Sequence, residues 1–160
     1  MTLAATVQFL VAATFVVIPL VGSRFGPGAQ RAAEAEIQRQ GHCVGVLKQH
    51  KIDFGASRAS LVIAFGIAAC FAVIGVFTLT GHETASWVVQ PIMFVLGCVI
   101  MPGEVFTTRY VRAALPREVD AAALVRAAGS EFPLWTRYVI AARFALATAG
   151  SVLVCIILAT

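Results

Sequence analysis

Charged side chains in and beside apolar runs are the residues of this sequence that could do chemistry. Arg143 lies six positions past Arg137 in the last apolar run, so a helix would carry it roughly 9 Å further into that run. An arginine at that depth in lipid must reach back to the polar boundary or find a partner. Glu104 ends the preceding apolar run on the same predicted side. Arg143 is therefore interpreted as an arginine that reaches the boundary, as half of an ion pair with Glu104, or as a ligand or proton site.

Two further arginines, Arg109 and Arg112, follow Glu104 within a few residues. They extend the group of candidates for ligand binding or ion pairing to Glu104, Arg109, Arg112 and Arg143. No segment of the sequence carries a catalytic signature, so the identity of any catalytic residue is left unknown. The sequence leans towards a protein that is not an enzyme.

A second group with possible chemistry is His42, Cys43 and His50. Imidazole and thiolate ligands suit zinc or copper, but a spacing of eight residues separates the two histidines by more than two helical turns. The three histidines also lie outside the apolar runs, whereas a haem held by membrane helices needs histidines within them. We therefore predict no metal and no cofactor.

The composition indicates the setting of these residues. Hydrophobic residues make up 59% of the 160-residue chain and charged residues 12%, about half the roughly 25% usual in soluble domains. This charge is too small to cover a soluble fold, so the excess apolar surface is expected to face lipid. The net charge of +4 is interpreted as orientation charge, since no basic run is interleaved with aromatic residues. Nucleic acid is therefore not an expected partner.

Four apolar runs approach the roughly 20 residues that a helix needs to cross a bilayer. We predict a single all-α domain over residues 1–160, a polytopic four-helix transmembrane bundle with short interfacial cytoplasmic helices. The first run has no basic segment before it and is too long for a signal peptide, so it is interpreted as a retained helix. The predicted spans are residues 2–22, 61–80, 87–106 and 138–159.

The connections between the runs predict the orientation. Segment 23–60 carries six basic residues and segment 107–137 carries five, whereas the short link 81–86 and both tails carry none. Because basic residues favour the cytoplasmic side, the two long loops are predicted to be cytoplasmic and both termini outside. The composition is typical of a GC-rich bacterial genome, which indicates the inner membrane.

The long loops carry their own helix signals. Residues 30–40 are predicted to form a polar helix, because Arg31 with Glu34 and Glu36 with Arg39 are spaced for ion pairs. Residues 116–128 are predicted to form a second helix that ends near Gly129.

Small and polar residues in the runs favour close helix contacts. Two rows of alanines recur every fourth residue and predict packing within the bundle or with a partner. Gln8 and Gln90 are interpreted as hydrogen-bonding groups between helices. The two rows are Ala64, Ala68 and Ala72, and Ala141, Ala145 and Ala149.

These features favour a non-catalytic accessory or scaffold subunit of a larger bacterial membrane complex. The expected partners are the lipid bilayer and other membrane subunits, or further copies of the chain. Two alternatives stay open. One is a small oligomeric transporter or channel, lined by the few polar residues of the runs. The other is a membrane-embedded enzyme acting on a lipophilic or conjugated substrate at the cytoplasmic face.

Overall fold

A computed structural model describes residues 1–82, 84–99 and 101–159, with only the helical backbone described for Gly103 and Glu104. Over these residues the regular structure is helical throughout. The helices are α1 (Thr2–Arg39), α2 (Gly45–Gln49), α3 (Arg58–Leu79), α4 (Thr84–Val99), α5 (Pro102–Val105), α6 (Thr107–Ala114), α7 (Ala121–Gly129), α8 (Trp135–Ala145), a π-helical turn (Leu146–Gly150) and α9 (Ser151–Ala159).

Three helices are long and apolar enough to cross a membrane: α1, α3 and the continuous helix Trp135–Ala159 formed by α8, the π turn and α9. The apolar helix α4 is shorter, at 16 residues. Length and composition thus support an all-helical membrane protein.

Helix α1 joins two segments that the sequence predicted separately. The predicted span 2–22 and the predicted polar helix 30–40 form one helix of 38 residues, roughly 57 Å long. It continues through Pro19 and Pro27. At Gly22 and Gly26 the segment after α2 lies against it, and a Cβ built on Gly26 would come within 2.5 Å of Gly55 Cα. Backbone packing at these glycines explains why the helix continues past a Gly-Pro-Gly sequence that usually ends one.

Two helices end in the same glycine motif. After α1, Gly41 has a φ of 80° and the N–H of His42 donates to Ile37 O; after α3, Gly81 has a φ of 83° and the N–H of His82 donates to Phe77 O. Both are Schellman caps, in which glycine takes the left-handed conformation at low energetic cost. They set the points where the chain leaves its two longest regular helices.

The two long loops pack together into one unit, which we call the cap: residues 29–57 and 107–134. Gln40 joins them, because its Oε1 accepts from Asp120 N at 2.9 Å and its Nε2 donates to Asp120 O at 3.4 Å. The cap has its own apolar core, in which Ile37, Leu47 and Leu124 are fully buried. Both loops therefore lie on the same side of the bundle.

Helix α7 begins later than predicted. Asp120 Oδ1 accepts from the N–H groups of Ala122 and Ala123, so Asp120 is the N-cap and the helix starts at Ala121 rather than at Pro116. A side chain that caps the helix outweighs the preference of proline for a first helical position.

The bundle is built around α1, which packs against α3 on one side and against the last helix on another. Helix α4 packs against α9 and the π turn. A second apolar cluster is formed by residues of α1, α3, α4 and the π turn together with Met101: Val11, Ala12, Phe15, Ala64, Ala68, Phe71, Met93, Met101 and Ala147.

Candidate functional site

Arg143 lies inside the bundle. Its side chain is 4% exposed, and its guanidinium carbon is 5.1 Å from the centroid of the Phe15 ring on α1. A desolvated guanidinium over an aromatic face gains cation–π energy, which offsets part of the cost of burying the charge. Helix α8, which carries Arg143, also packs against α5.

The other charged candidates lie elsewhere. Arg109 and Arg112 are exposed on α6, and Arg112 lines a surface recess of about 390 Å³ in the cap with Arg117 and Asp120. The structure therefore does not bring these two arginines into the interior with Arg143. The side chain of Glu104 lies outside the described residues, so its pairing with Arg143 stays a prediction.

A chain of buried hydrogen bonds links three helices at the end of the bundle away from the cap. Gln8 Nε2 donates to Ser86 Oγ at 2.9 Å, Ser86 Oγ lies 2.8 Å from Thr78 Oγ1, and Thr78 Oγ1 donates to Ile74 O at 3.0 Å. A carbonyl oxygen only accepts, so the Thr78 proton is committed to Ile74, and Ser86 must donate to Thr78. The three hydrogen bonds therefore run in one direction, with each donor on the Gln8 side and each acceptor on the Ile74 side.

This series of hydrogen bonds confirms that Gln8 hydrogen-bonds between helices. Ser86 and Thr78 are the partners that sequence reasoning missed, because isolated hydroxyl residues are common in membrane helices and Ser86 was assigned to the outer turn. One signal could have found Ser86: it precedes Gln90 by four residues, which places both on one face of α4.

Gln90 is also buried, but its amide nitrogen takes part in no comparable series of hydrogen bonds among the described residues. Its side chain is 2% exposed, and its Nε2 has no hydrogen-bond partner among the described residues. The Oε1 of Gln8 is likewise buried and lacks a partner in the described part of the chain. Gln90 and Gln8 thus each hold a buried polar atom whose hydrogen-bonding capacity is unused among the described residues.

The π turn lies where the last helix crosses its neighbours. A Cβ on Gly97 of α4 would be 3.2 Å from Ala147 Cβ, and one on Gly150 would be 3.1 Å from Val7 Cγ1. The Thr148 hydroxyl donates to Phe144 O at 2.7 Å and the Ser151 hydroxyl to Ala147 O at 2.8 Å. These hydroxyls satisfy carbonyl groups at the turn, which helps a wider helix persist in an apolar setting.

The two predicted alanine rows differ in their surroundings. Ala64 and Ala68 are buried in the contact of α3 with α1, and Ala72 packs beside them. The second row, on the last helix, is exposed along its length and contributes nothing to the bundle core. Its members are Ala141, Ala145 and Ala149.

The histidine and cysteine residues of the first loop do not converge. His42 Nε2 lies 3.4 Å from Glu118 O, and Cys43 is exposed. Within the described residues, no group of three or more histidine, cysteine, aspartate or glutamate side chains could hold a metal ion.

An ion pair lies at the end of α1, in the cap. Arg39 Nη2 lies 2.6 Å from Glu36 Oε1, and Gln40 Nε2 donates to the same oxygen at 2.8 Å. The hydrogen bond from Arg39, followed by that from Gln40, lowers the pKa of Glu36 to about 2. The pair holds the α1 end beside Gln40, the residue that joins the two loops.

No protein-family model, curated protein or solved structure matches this chain.

Proposed function

We propose that the chain is a non-catalytic accessory or scaffold subunit of a larger bacterial membrane complex, held in the inner membrane by four helices. The observation that carries this proposal is the contrast between the two alanine rows. The row on α3 is covered by α1, whereas Ala141, Ala145 and Ala149 are exposed. Small side chains gain little from lipid, but they let a second helix approach closely. The uncovered row therefore suits a helix of another subunit.

The connectivity of the chain supports the proposed four crossings. The two long loops share one side, so the chain must return to that side between the end of α3 and Thr107. Helix α4 is the apolar segment that could make this return. Its 16 residues span roughly 24 Å, against about 30 Å of hydrocarbon, and the few ångströms missing can be met by local thinning of the bilayer.

The basic residues of the cap support the proposed orientation. Eleven lysine and arginine residues fall in segments 23–60 and 107–137 and none in the link 81–86, so the cap is proposed to be cytoplasmic and both termini outside. Cysteine labelling tests this in a background from which Cys43, exposed in the cap, has been removed. A cysteine at His82 should react with an impermeant reagent in intact cells, and one at Gln38 should not. Labelling of Gln38 from outside would contradict the orientation.

Co-purification tests the function. In mild detergent, the wild-type chain should be recovered in a fixed ratio with a larger subunit of different sequence. Ala145→Leu, which fills the uncovered row, should lose that subunit. Ala69→Leu is the matched control, because it adds the same side chain to an exposed position on α3.

A small oligomeric transporter or channel is the second candidate, favoured by the buried polar groups. Gln8, Thr78, Ser86, Gln90 and Arg143 are each less than 5% exposed inside a bundle whose surface is apolar. Such interior groups accompany substrate or ion pathways in membrane proteins. Recovery of the chain solely with copies of itself would favour this candidate over the scaffold.

A further inference from the structure

A groove of about 420 Å³ runs between α4 and α9 on the outside of the bundle. Six of its lining residues are exposed on that surface, so the groove opens to lipid rather than to the bundle interior. These residues are Pro91, Phe94, Val95, Val152, Ile156 and Ala159. A molecule in the groove must therefore be lipid-soluble.

Two polar residues, Gln90 and Ser151, interrupt this apolar lining. The Ser151 hydroxyl already donates its proton to Ala147 O. The Gln90 Nε2, by contrast, has no partner within the described residues. A buried N–H group without an acceptor in an apolar medium is destabilising by several kcal/mol. The groove thus offers a donor that a bound acceptor atom would satisfy.

We infer that this groove binds a lipid-soluble carbonyl compound of the quinone or ketone class, with Gln90 Nε2 donating to the carbonyl oxygen. The terminal torsion of glutamine is broad, so a rotation of the amide turns its N–H towards the groove. The ring and apolar body of the ligand lie against Phe94 and the aliphatic side chains of α9.

The depth of Gln90 separates this ligand class from ordinary membrane lipids. Gln90 lies six residues after the first residue of α4, roughly 9 Å along the helix. The ester carbonyls of a phospholipid are tethered to the headgroup region at the edge of the hydrocarbon. A quinone or ketone carbonyl has no such tether and reaches Gln90 without drawing a headgroup into the apolar core.

Binding of a decyl-substituted benzoquinone to the purified chain in detergent tests the inference. Wild-type protein should bind the probe saturably, and Gln90→Leu should weaken binding about three- to tenfold, as expected for one hydrogen bond in an apolar setting. Val95→Trp fills the groove from an exposed position and should abolish saturable binding while the protein stays folded. Gln8→Leu removes a buried glutamine outside the groove and should leave the affinity unchanged.

Two results would overturn the inference. One is equal affinity of wild type and Val95→Trp, a variant that decides the matter even if Gln90→Leu does not fold. The other is displacement of the probe by phosphatidylglycerol at equal concentration with the same dependence on Gln90, since this would assign the groove to lipid esters. Both outcomes are independent of whether the chain co-purifies with another subunit.

Discussion

The cap and the membrane helices bury their apolar side chains in different ways. In the cap, Ile37, Leu47 and Leu124 are fully buried in a core that closes on itself. In the bundle, large apolar residues remain outside, with Val62 72% and Ile63 64% exposed on α3. The difference follows from the solvent, because water penalises exposed apolar surface whereas lipid does not. Covering a bundle face therefore requires a reason other than hydrophobicity, and close packing of small residues supplies one.

Loss of a cap core side chain should have the largest effect. Leu124→Ala removes a fully buried leucine and should lower the free energy of unfolding by about 2–5 kcal/mol, because a cavity remains. Leu134→Ala, at a position 78% exposed, is the control and should change it by less than about 0.5 kcal/mol. Denaturant unfolding in detergent measures both. Equal losses would mean that the cap has no separate core.

The close contact between Gly26 and Gly55, where the cap meets the bundle, should have the next largest effect on stability. Gly26→Ala brings a Cβ to 2.5 Å from Gly55 Cα. The backbone must shift to avoid this clash, so the free energy of unfolding should fall by about 1–3 kcal/mol. Gly66→Ala is the matched control on α3, where a Cβ meets nothing within 4 Å. This change should be neutral or stabilising by up to about 1 kcal/mol, since alanine favours the helix. A loss in both variants would show that glycine flexibility matters rather than the close approach.

The buried hydrogen-bond chain should give a smaller effect. A double-mutant cycle of Gln8→Leu and Ser86→Ala should give a coupling energy of about 0.6–1.7 kcal/mol, the range for hydrogen bonds between membrane helices. Additive losses in the cycle would mean that these two side chains do not meet.

The ion pair at the end of α1 should give the smallest effect, and it depends on pH. The pKa of Glu36 is about 2 in the folded chain against an ordinary value of 4.5, so the carboxylate stabilises the fold above pH 4.5. That contribution should disappear as the pH falls from 4.5 towards 2. Thermal unfolding of wild type and Glu36→Gln over this window measures it, and the variant should show a weaker pH dependence. Identical curves would contradict the pairing.

Much of the fold was predictable because apolar runs indicate helices directly. Helix α3 begins at Arg58, within one turn of the predicted position 61, and the last helix begins at Trp135 rather than at 138. The continuity of α1 was not predictable, since Gly26 and Pro27 normally signal an end. The helix persists there because Gly55 packs against Gly26, a contact between residues distant in sequence.

The candidate site was also predictable in part from the apolar runs. Gln8 and Arg143 stood out because polar residues are rare in apolar runs. The partners of Gln8 did not stand out, since hydroxyl side chains occur widely in such runs and their direction depends on the packing of three helices. Equal alanine spacing in two helices also could not reveal that α1 covers Ala68 and leaves Ala145 exposed.

Photo-crosslinking from Ala145 tests the proposed role most directly. A photoreactive amino acid at Ala145 should give one crosslinked product in native membranes, joining the chain to a larger subunit of different sequence. The same amino acid at Ile63, which is 64% exposed on α3, should react with lipid and give no such product. Crosslinking to lipid alone at both positions would contradict the proposal that the last helix carries the contact with a partner.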